Sequence, residues 1–422
     1  MTAFHMLSAL VTAAALASYV NHRFLRLPPT VGLMAISLAV SVALGVLGFA
    51  GVLDIDGLSS ALEGIDFSDL LLHGMLAFLL FAGALHVDVS ELRREAAAIL
   101  TLATASVAVT CVVTATLVWG AAALLGVELP YVYALVFGAL IAPTDPIAVL
   151  AIMREARAPQ SIEIRITGES LFNDGVGVVL FLMMLHLAQG SAPLSVGEIA
   201  TLFAKEVAGG LAIGAGLGWL TYLLIRPVNQ YAVEVMLTVA LAAGSYSVAE
   251  VMNVSAPIAA VVAGLVIGNH GRAHAMSSTT RRNVDTFWEL IDELLNAVLF
   301  VLIGLEVLVL EIHAENWRTA ALAAAAIPAT LLARVAAVAL PAPLFGMRAF
   351  GSRVAILTWA GLRGGISIAL ALSLPQSPAR NALLLCAYVV VVFSVLVQGL
   401  TLKRLLTRLC PRVAPPAPPS AG

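Results

Sequence analysis

Glu169, Ser170, Asn173 and Asp174 interrupt the mostly apolar stretch "ITGESLFNDGVGVVLFLMMLHLA". On a helix, Ser170 and Asp174 stand four apart on one face, and Glu169 and Asn173 form a second such pair beside them. An ionisable group at the centre of a membrane helix costs at least ~2.5–3.5 kcal/mol on insertion scales, so a carboxylate kept there is expected to have a task. A second oxygen cluster lies upstream in "YVYALVFGALIAPTDPIAVLAIM", where Thr144 and Asp145 sit between two prolines. Asp174 and Ser170 facing Thr144 and Asp145 make an all-oxygen set, the ligand type that hard cations favour. The chemistry expected of it is reversible binding of a monovalent cation. The plainer alternative is that Asn173 and Asp174 only glue helices together.

Such a site needs backbone that departs from the helix. Pro143 and Pro146 lack N–H groups, and their rings clash with the carbonyls of Ala139 and Ala142 four residues earlier. Residues before a proline avoid the helical region, which applies to Ala142 and Asp145. The spacing therefore predicts a helix that opens at Thr144–Asp145, an arrangement tolerated at membrane depth only where it is buried in protein or lines a wet cavity. "VAILTWAGLRGGISIALALSL" reads as a second interrupted helix, with Gly361, Gly364 and Gly365 around Arg363. Arg363 is the expected partner of Glu169 in a buried ion pair that cross-links the two helices. Gly175 and Gly177 allow close helix approach.

Composition sets the class. Of 422 residues, 61% are hydrophobic and 11% charged, with a mean hydropathy of +1.00, against about 25% charged in an average soluble domain. This is an all-α integral membrane protein. No basic patch suggests nucleic acid, and no cofactor motif is present. Cys111, Cys386 and Cys410 are too few and too scattered for a disulfide framework or a zinc site. The apolar N-terminus is followed, not preceded, by Arg23 and Arg26, which is the reverse of a secretory signal.

A span needs about 20 apolar residues. The chain offers candidates at 3–20, 29–50, 69–88, 96–123, 131–153, 166–189, 197–225, 231–251, 256–270, 285–310, 317–345, 352–374 and 380–402, thirteen in all. Alternating sides place 17 of the 22 Lys and Arg on one face, and the acidic loop "DIDGLSSALEGIDFSD" on the other. The positive-inside rule then puts the N-terminus outside and the C-terminus in the cytoplasm. The interrupted spans are the fifth and the twelfth. An offset of seven reverses orientation, so spans one to six and eight to thirteen are expected to be inverted repeats whose broken helices cross at the midplane. The expected organisation is one membrane unit over 1–412, with repeat one at 3–189, a linking helix at 197–225 and repeat two at 231–402. The Pro-rich tail 413–422 is expected to be disordered and cytoplasmic, with no soluble domain after the spans.

"APTDP", "GESLFNDGVG", "AGLVIGNHG", "NAVLFVLIGLE" and "GLRGGISIALAL" occur in this order between about residues 70 and 400. Together they resemble the NhaP-type sodium/proton antiporters of the cation:proton antiporter-1 family. The resemblance implies a thirteen-helix homodimer, with a dimerisation domain and a six-helix core, in a bacterial inner membrane. It implies pH homeostasis by exchange of sodium (potassium or lithium as alternatives) for protons. Asp174 matches the shared ion- and proton-binding carboxylate, Thr144, Asp145 and Ser170 match its helpers, and Glu169 and Arg363 match a structural ion pair. Electrogenic relatives carry a second Asp where this chain has Asn173, so electroneutral exchange is implied. One departure is Ala82, at a position where many relatives carry an acidic residue.

Two other readings use the same residues. A sodium-coupled symporter of an organic anion would need an anion clamp beyond Arg363. An intramembrane aspartyl protease would use Asp145 and Asp174, but neither of the sequence patterns around such aspartates is present. Other charges are read as peripheral. His86 and Asp88 belong to an interface or to a pH-sensitive entrance; Glu289, Asp292, Glu293, Glu306 and Glu311 are solvated or line a funnel. Glu234 and Glu250 lie at the interfaces flanking their span. Arg334, mid-span, calls for an acidic partner that the sequence does not identify.

Overall fold

The computed structural model of the chain describes residues 3–51, 69–146, 149–150, 152–153, 160–190, 196–272, 275–308, 317–341 and 350–409. The acidic loop over 54–68, Arg154, Arg157, Glu311, Arg348, Cys410, Arg412 and the tail 413–422 lie outside those residues.

The described residues are helical and contain no strand. The first half runs α1 (Ala3–Val20), α2 (Pro29–Phe49), α3 (Leu76–Leu85), α4 (Val89–Arg94), α5 (Ala96–Ala103), α6 (Ala105–Leu125), α7 (Tyr131–Ile141) and α8 (Gln160–Ala188). Then come α9 (Val196–Ile225), α10 (Tyr231–Val251), α11 (Ala256–Val266), α12 (Ser278–Leu305) and α13 (Trp317–Ala339). The chain ends in α14 (Phe350–Trp359), α15 (Gly365–Leu372), α16 (Arg380–Phe393) and α17 (Gly399–Leu409). Seven helical stretches among the described residues are long and apolar enough to cross a membrane, and Leu70–Leu85, Tyr131–Ile141 and Ala256–Gly271 are shorter apolar helices.

The breaks fall where local chemistry demands them. Helix α7 stops at Ile141 and residues 142–146 are not helical, as the two prolines dictate. Helix α14 stops at Trp359, and residues 360–364 are non-helical before α15 begins. Helix α12 starts at Ser278, seven residues before the expected apolar span. The Ser277 side chain accepts a bond from the Thr280 N–H at 3.2 Å and caps it. The extra turns carry Arg281 and Arg282, which an apolar scan excludes.

Packing pairs α6 with both α7 and α13, α9 with α11, α2 with α12, and α3 with α11. In the last contact, an added Cβ on Gly264 or Gly268 would fall 2.7 and 2.2 Å from the carbonyl oxygens of Phe81 and Leu85, so the glycines of "AGLVIGNHG" admit α3. Asn269 of the same motif ties the turn after α3 by accepting from the Val89 N–H (2.9 Å) and donating to the Val87 carbonyl (3.0 Å).

The two acids flanking the eighth expected span differ in their surroundings. Glu234 is fully buried, and its carboxylate accepts a bond from the Thr280 hydroxyl at 3.1 Å. Helices α10 and α12 bury it because both begin at the same end of the bundle. Glu250 is exposed and lies 3.2 Å from His73.

Candidate functional site

The two non-helical segments cross. The Asp145 N–H donates to the Leu362 carbonyl at 2.7 Å, joining the interruptions through their backbones. Gly364 makes the approach possible, since a Cβ there would fall 2.2 Å from Asp145 Oδ2.

A broken helix leaves carbonyls without donors, and buried ones must find partners. Pro146 has no N–H to offer Ala142, four residues earlier. Arg363 substitutes: its Nη1 donates to the carbonyl oxygens of both Ala142 and Pro143, the latter at 2.9 Å. The Arg363 backbone N–H is held by Ser394 Oγ (2.8 Å), which donates to Gln398 Oε1 (2.6 Å). Gln398 returns to the Trp359 carbonyl at 3.2 Å, where α14 ends.

Glu169 therefore does not pair with Arg363. Its carboxylate is held by both Nη groups of Arg334 from α13, one contact being 2.9 Å. Both residues are buried, at 1% and 4% exposure. Arg334 Nη2 also donates to the Leu357 carbonyl at 3.2 Å. Gly361 leaves room for this guanidinium, because a Cβ there would meet Arg334 Nε at 2.6 Å. The partner that Arg334 required is thus Glu169, and Arg363 is engaged by the unwound backbone.

Helix α8 supplies the other wall. Asn173 clamps Thr144 from two sides, donating through Nδ2 to its hydroxyl (2.8 Å) and accepting from its N–H (3.4 Å). The Ser170 hydroxyl donates to the Thr144 carbonyl. Asn173 thereby fixes the unwound segment, while Thr144, Asp145, Ser170 and Asp174 border one cavity. Gly177 lets α8 approach, since a Cβ on it would lie 2.3 Å from the Pro143 ring. Asp174 is 6% exposed, and Asp145 lies near enough for its charge to act on it. Two carboxylates and two hydroxyls at one cavity wall make a cation-attracting, protonatable centre.

The cavity has a volume of about 1530 Å³ and runs from these residues to one end of the bundle. Arg23, Arg26, Asp88, Glu91 and Arg272 line its outer part. Arg272 bonds Asp285 at 2.6 Å and the Leu85 carbonyl at 3.2 Å. Asp88 caps α4, and bonds from the Ser90 side chain and N–H hold its carboxyl below the usual range. Asp88 is thus an ionised cap at the mouth. His86 is exposed there, its Nδ1 2.9 Å from the Ala82 carbonyl. Ala82 is buried yet borders the cavity, so no carboxylate reaches in from α3 at that point. Of the peripheral acids, Glu289, Asp292 and Glu293 line this cavity.

Ser394, Gln398 and the role of Arg334 were missed by the sequence reading. The signal that could have found the first two is polarity inside the apolar run "VFSVLVQGL".

The chain is similar to known proteins over most of its length. A family model described as "Sodium/hydrogen exchanger, transmembrane" matches residues 10–408. The Na(+)/H(+) antiporter NhaP of Pseudomonas aeruginosa is 47% identical, with 96% of each chain covered. The Na(+)/H(+) antiporter NhaH of Halobacillus dabanensis is 39% identical over 69% of this chain and 72% of its own. Among solved structures, the sodium proton antiporter MjNhaP1 of Methanocaldococcus jannaschii superposes with a TM-score of 0.74 at 19% identity, covering 97% of this chain and 99% of that one.

Proposed function

The chain belongs to the sodium/hydrogen exchanger family, and from that premise we propose that it exchanges sodium for protons across a membrane, with Asp174 as the shared binding group. The reading rests on one observation above the others: Asp174, Asp145, Thr144 and Ser170 border a single cavity at the place where two interrupted helices cross. A carboxylate out of water is neutral unless it holds a cation. One site that carries either a proton or a cation enforces exchange without a separate coupling device. Arg363 has Nη1 committed to two carbonyls and is not among the residues that border the cavity, so the symporter reading gains nothing from it. The protease reading gains nothing from this family either.

The same proposal carries the finer architecture: thirteen spans in two inverted repeats, alternating access by movement of the core, and a homodimer in a bacterial inner membrane. With the basic loops in the cytoplasm, the cavity faces inward. A reporter fused after Gly422 is expected to behave as cytoplasmic and one before Met1 as external. Both ends on one side would remove a span and, with it, the inverted pairing of the broken helices.

Purified protein in vesicles loaded with a pH dye is the direct test. A sodium pulse outside should alkalinise the lumen, with potassium and lithium as comparisons; no response to any of the three sinks the proposal. The stoichiometry follows from Asn173, which is neutral and committed to Thr144. We expect one proton per monovalent cation and no net charge moved. A two-proton cycle would draw about 2.3 kcal/mol per 100 mV from the membrane potential. A valinomycin-imposed potential should therefore leave the equilibrium sodium gradient at fixed ΔpH unchanged. A gradient that follows the potential overturns the one-to-one ratio, though not the role of Asp174.

A further inference from the structure

Asp145 borders the cavity from an opened stretch of chain. Pro143 and Pro146 carry no N–H, so between them only Thr144 and Asp145 can donate from the backbone. Asn173 accepts from the first. The Asp145 N–H donates across the crossing to the Leu362 carbonyl at 2.7 Å. That carbonyl belongs to the same planar peptide unit as the Arg363 N–H, and the two groups point away from opposite sides of it. Whatever grips the Arg363 N–H therefore also sets where the Leu362 carbonyl lies.

The grip is the Ser394 hydroxyl, 2.8 Å away. Ser394 and Gln398 belong to a π turn, Ser394–Gln398, between α16 and α17, and both are buried. Neither is among the residues that border the cavity, so their route to the site runs through this peptide. The direction of each bond is fixed by its ends. The Trp359 carbonyl only accepts, so Gln398 turns Nε2 toward it (3.2 Å) and Oε1 toward Ser394. Oε1 only accepts as well, so Ser394 gives its hydrogen to Gln398 (2.6 Å) and keeps a lone pair for the Arg363 N–H.

Four bonds thus run in one direction, from Asp145 through the Leu362–Arg363 peptide, Ser394 and Gln398 to Trp359. Bonds aligned in this way polarise and strengthen one another in a low-dielectric interior. Buried hydroxyls elsewhere, such as those of Thr110 and Thr330, bond back to the carbonyl four residues earlier. Ser394 instead bonds forward to a side chain, which frees it to serve another helix. Trp359 ends α14, so the line braces the interruption at 360–364 from both of its ends. We propose that Ser394 and Gln398 are positioning residues of the exchange site: they hold the Leu362–Arg363 peptide so that its carbonyl fixes Asp145 beside Asp174, and thereby set the affinity for the cation. This rests on the exchange reading and deepens it, since residues on a helix outside the cavity tune the site within it.

Two readouts test this on the purified chain: equilibrium binding of radioactive sodium, and hydrogen–deuterium exchange of the Asp145 amide. Ser394→Ala should raise the half-saturating sodium concentration about fivefold, the worth of one hydrogen bond, with a smaller change in the maximal rate of exchange in vesicles. The Asp145 amide should exchange faster by a similar factor. Residues 143–146 hold only that amide and the one of Thr144, so the signal is assignable. Ser394→Thr, which keeps the hydroxyl, should restore both readouts. Gln398→Met removes the next two bonds and should move both the same way by less; it also serves if Ser394→Ala does not fold. A role confined to packing would lower the midpoint of thermal unfolding and leave sodium affinity at its native value. That result overturns the proposal, whether or not the amide has quickened. Sodium affinity that follows these variants in a chain that moves no protons overturns the exchange reading and leaves the positioning role standing.

Discussion

Asp174→Asn is expected to reduce sodium-driven proton movement in proteoliposomes to the level of protein-free vesicles. The substitution keeps the volume of the side chain and removes its charge, so the bordering helices have no reason to repack. It also removes both states of the proposed cycle, since an amide neither takes up the transported proton nor neutralises a cation at a largely dehydrated wall. Asp145 is poorly placed to take over. Its backbone is tied into the crossing through Leu362, and its flanks are Thr144, clamped by Asn173, and Pro146. Asp174→Glu retains a titratable group on a longer stem and is expected to keep a slower exchange. A vigorous dye response from a folded Asp174→Asn protein would move the shared site elsewhere, Asp145 first.

Arg334→Ala is expected to be the most damaging single change to stability. It leaves Glu169 charged, buried and without its bidentate partner, a loss of about 3–5 kcal/mol by analogy with broken buried pairs. The readouts are yield of monodisperse protein and the midpoint of thermal unfolding in detergent. Adding Glu169→Gln should recover much of the loss, because the stranded charge disappears. Arg363→Ala acts differently. Glu169 stays paired, while the carbonyls of Ala142 and Pro143 lose their donor, so Glu169→Gln should give that variant no relief. If Glu169→Gln rescues Arg363→Ala rather than Arg334→Ala, the pairing is the reverse of the one in the structure.

Much of the site is legible in the residue order. Composition alone places the chain in a membrane, because so few charged residues leave no polar surface to face water. The break after Ile141 follows from Pro143 and Pro146, whose missing N–H groups are local facts that no tertiary context can restore. The shared face of Ser170 and Asp174 follows from helical period, and the meeting of Ser170 with Thr144 follows from the need to satisfy an opened backbone with polar side chains.

The partner of Glu169 was not legible. Arg334 and Arg363 are each a lone arginine in an apolar span, and residue order says nothing about how two helices are rotated relative to each other. The decision came from the crossing of the interrupted segments. There the carbonyl orphaned by Pro146 draws Arg363 inward, and Gly361 opens the space that lets Arg334 reach Glu169. The cover over Glu234 was not legible for a related reason: α12 begins seven residues before the apolar run and brings Thr280 onto it. Local bonding rules act within a few residues and can be read along the chain, whereas the choice among equivalent buried partners is made by helix rotation and approach, which depend on every contact at once.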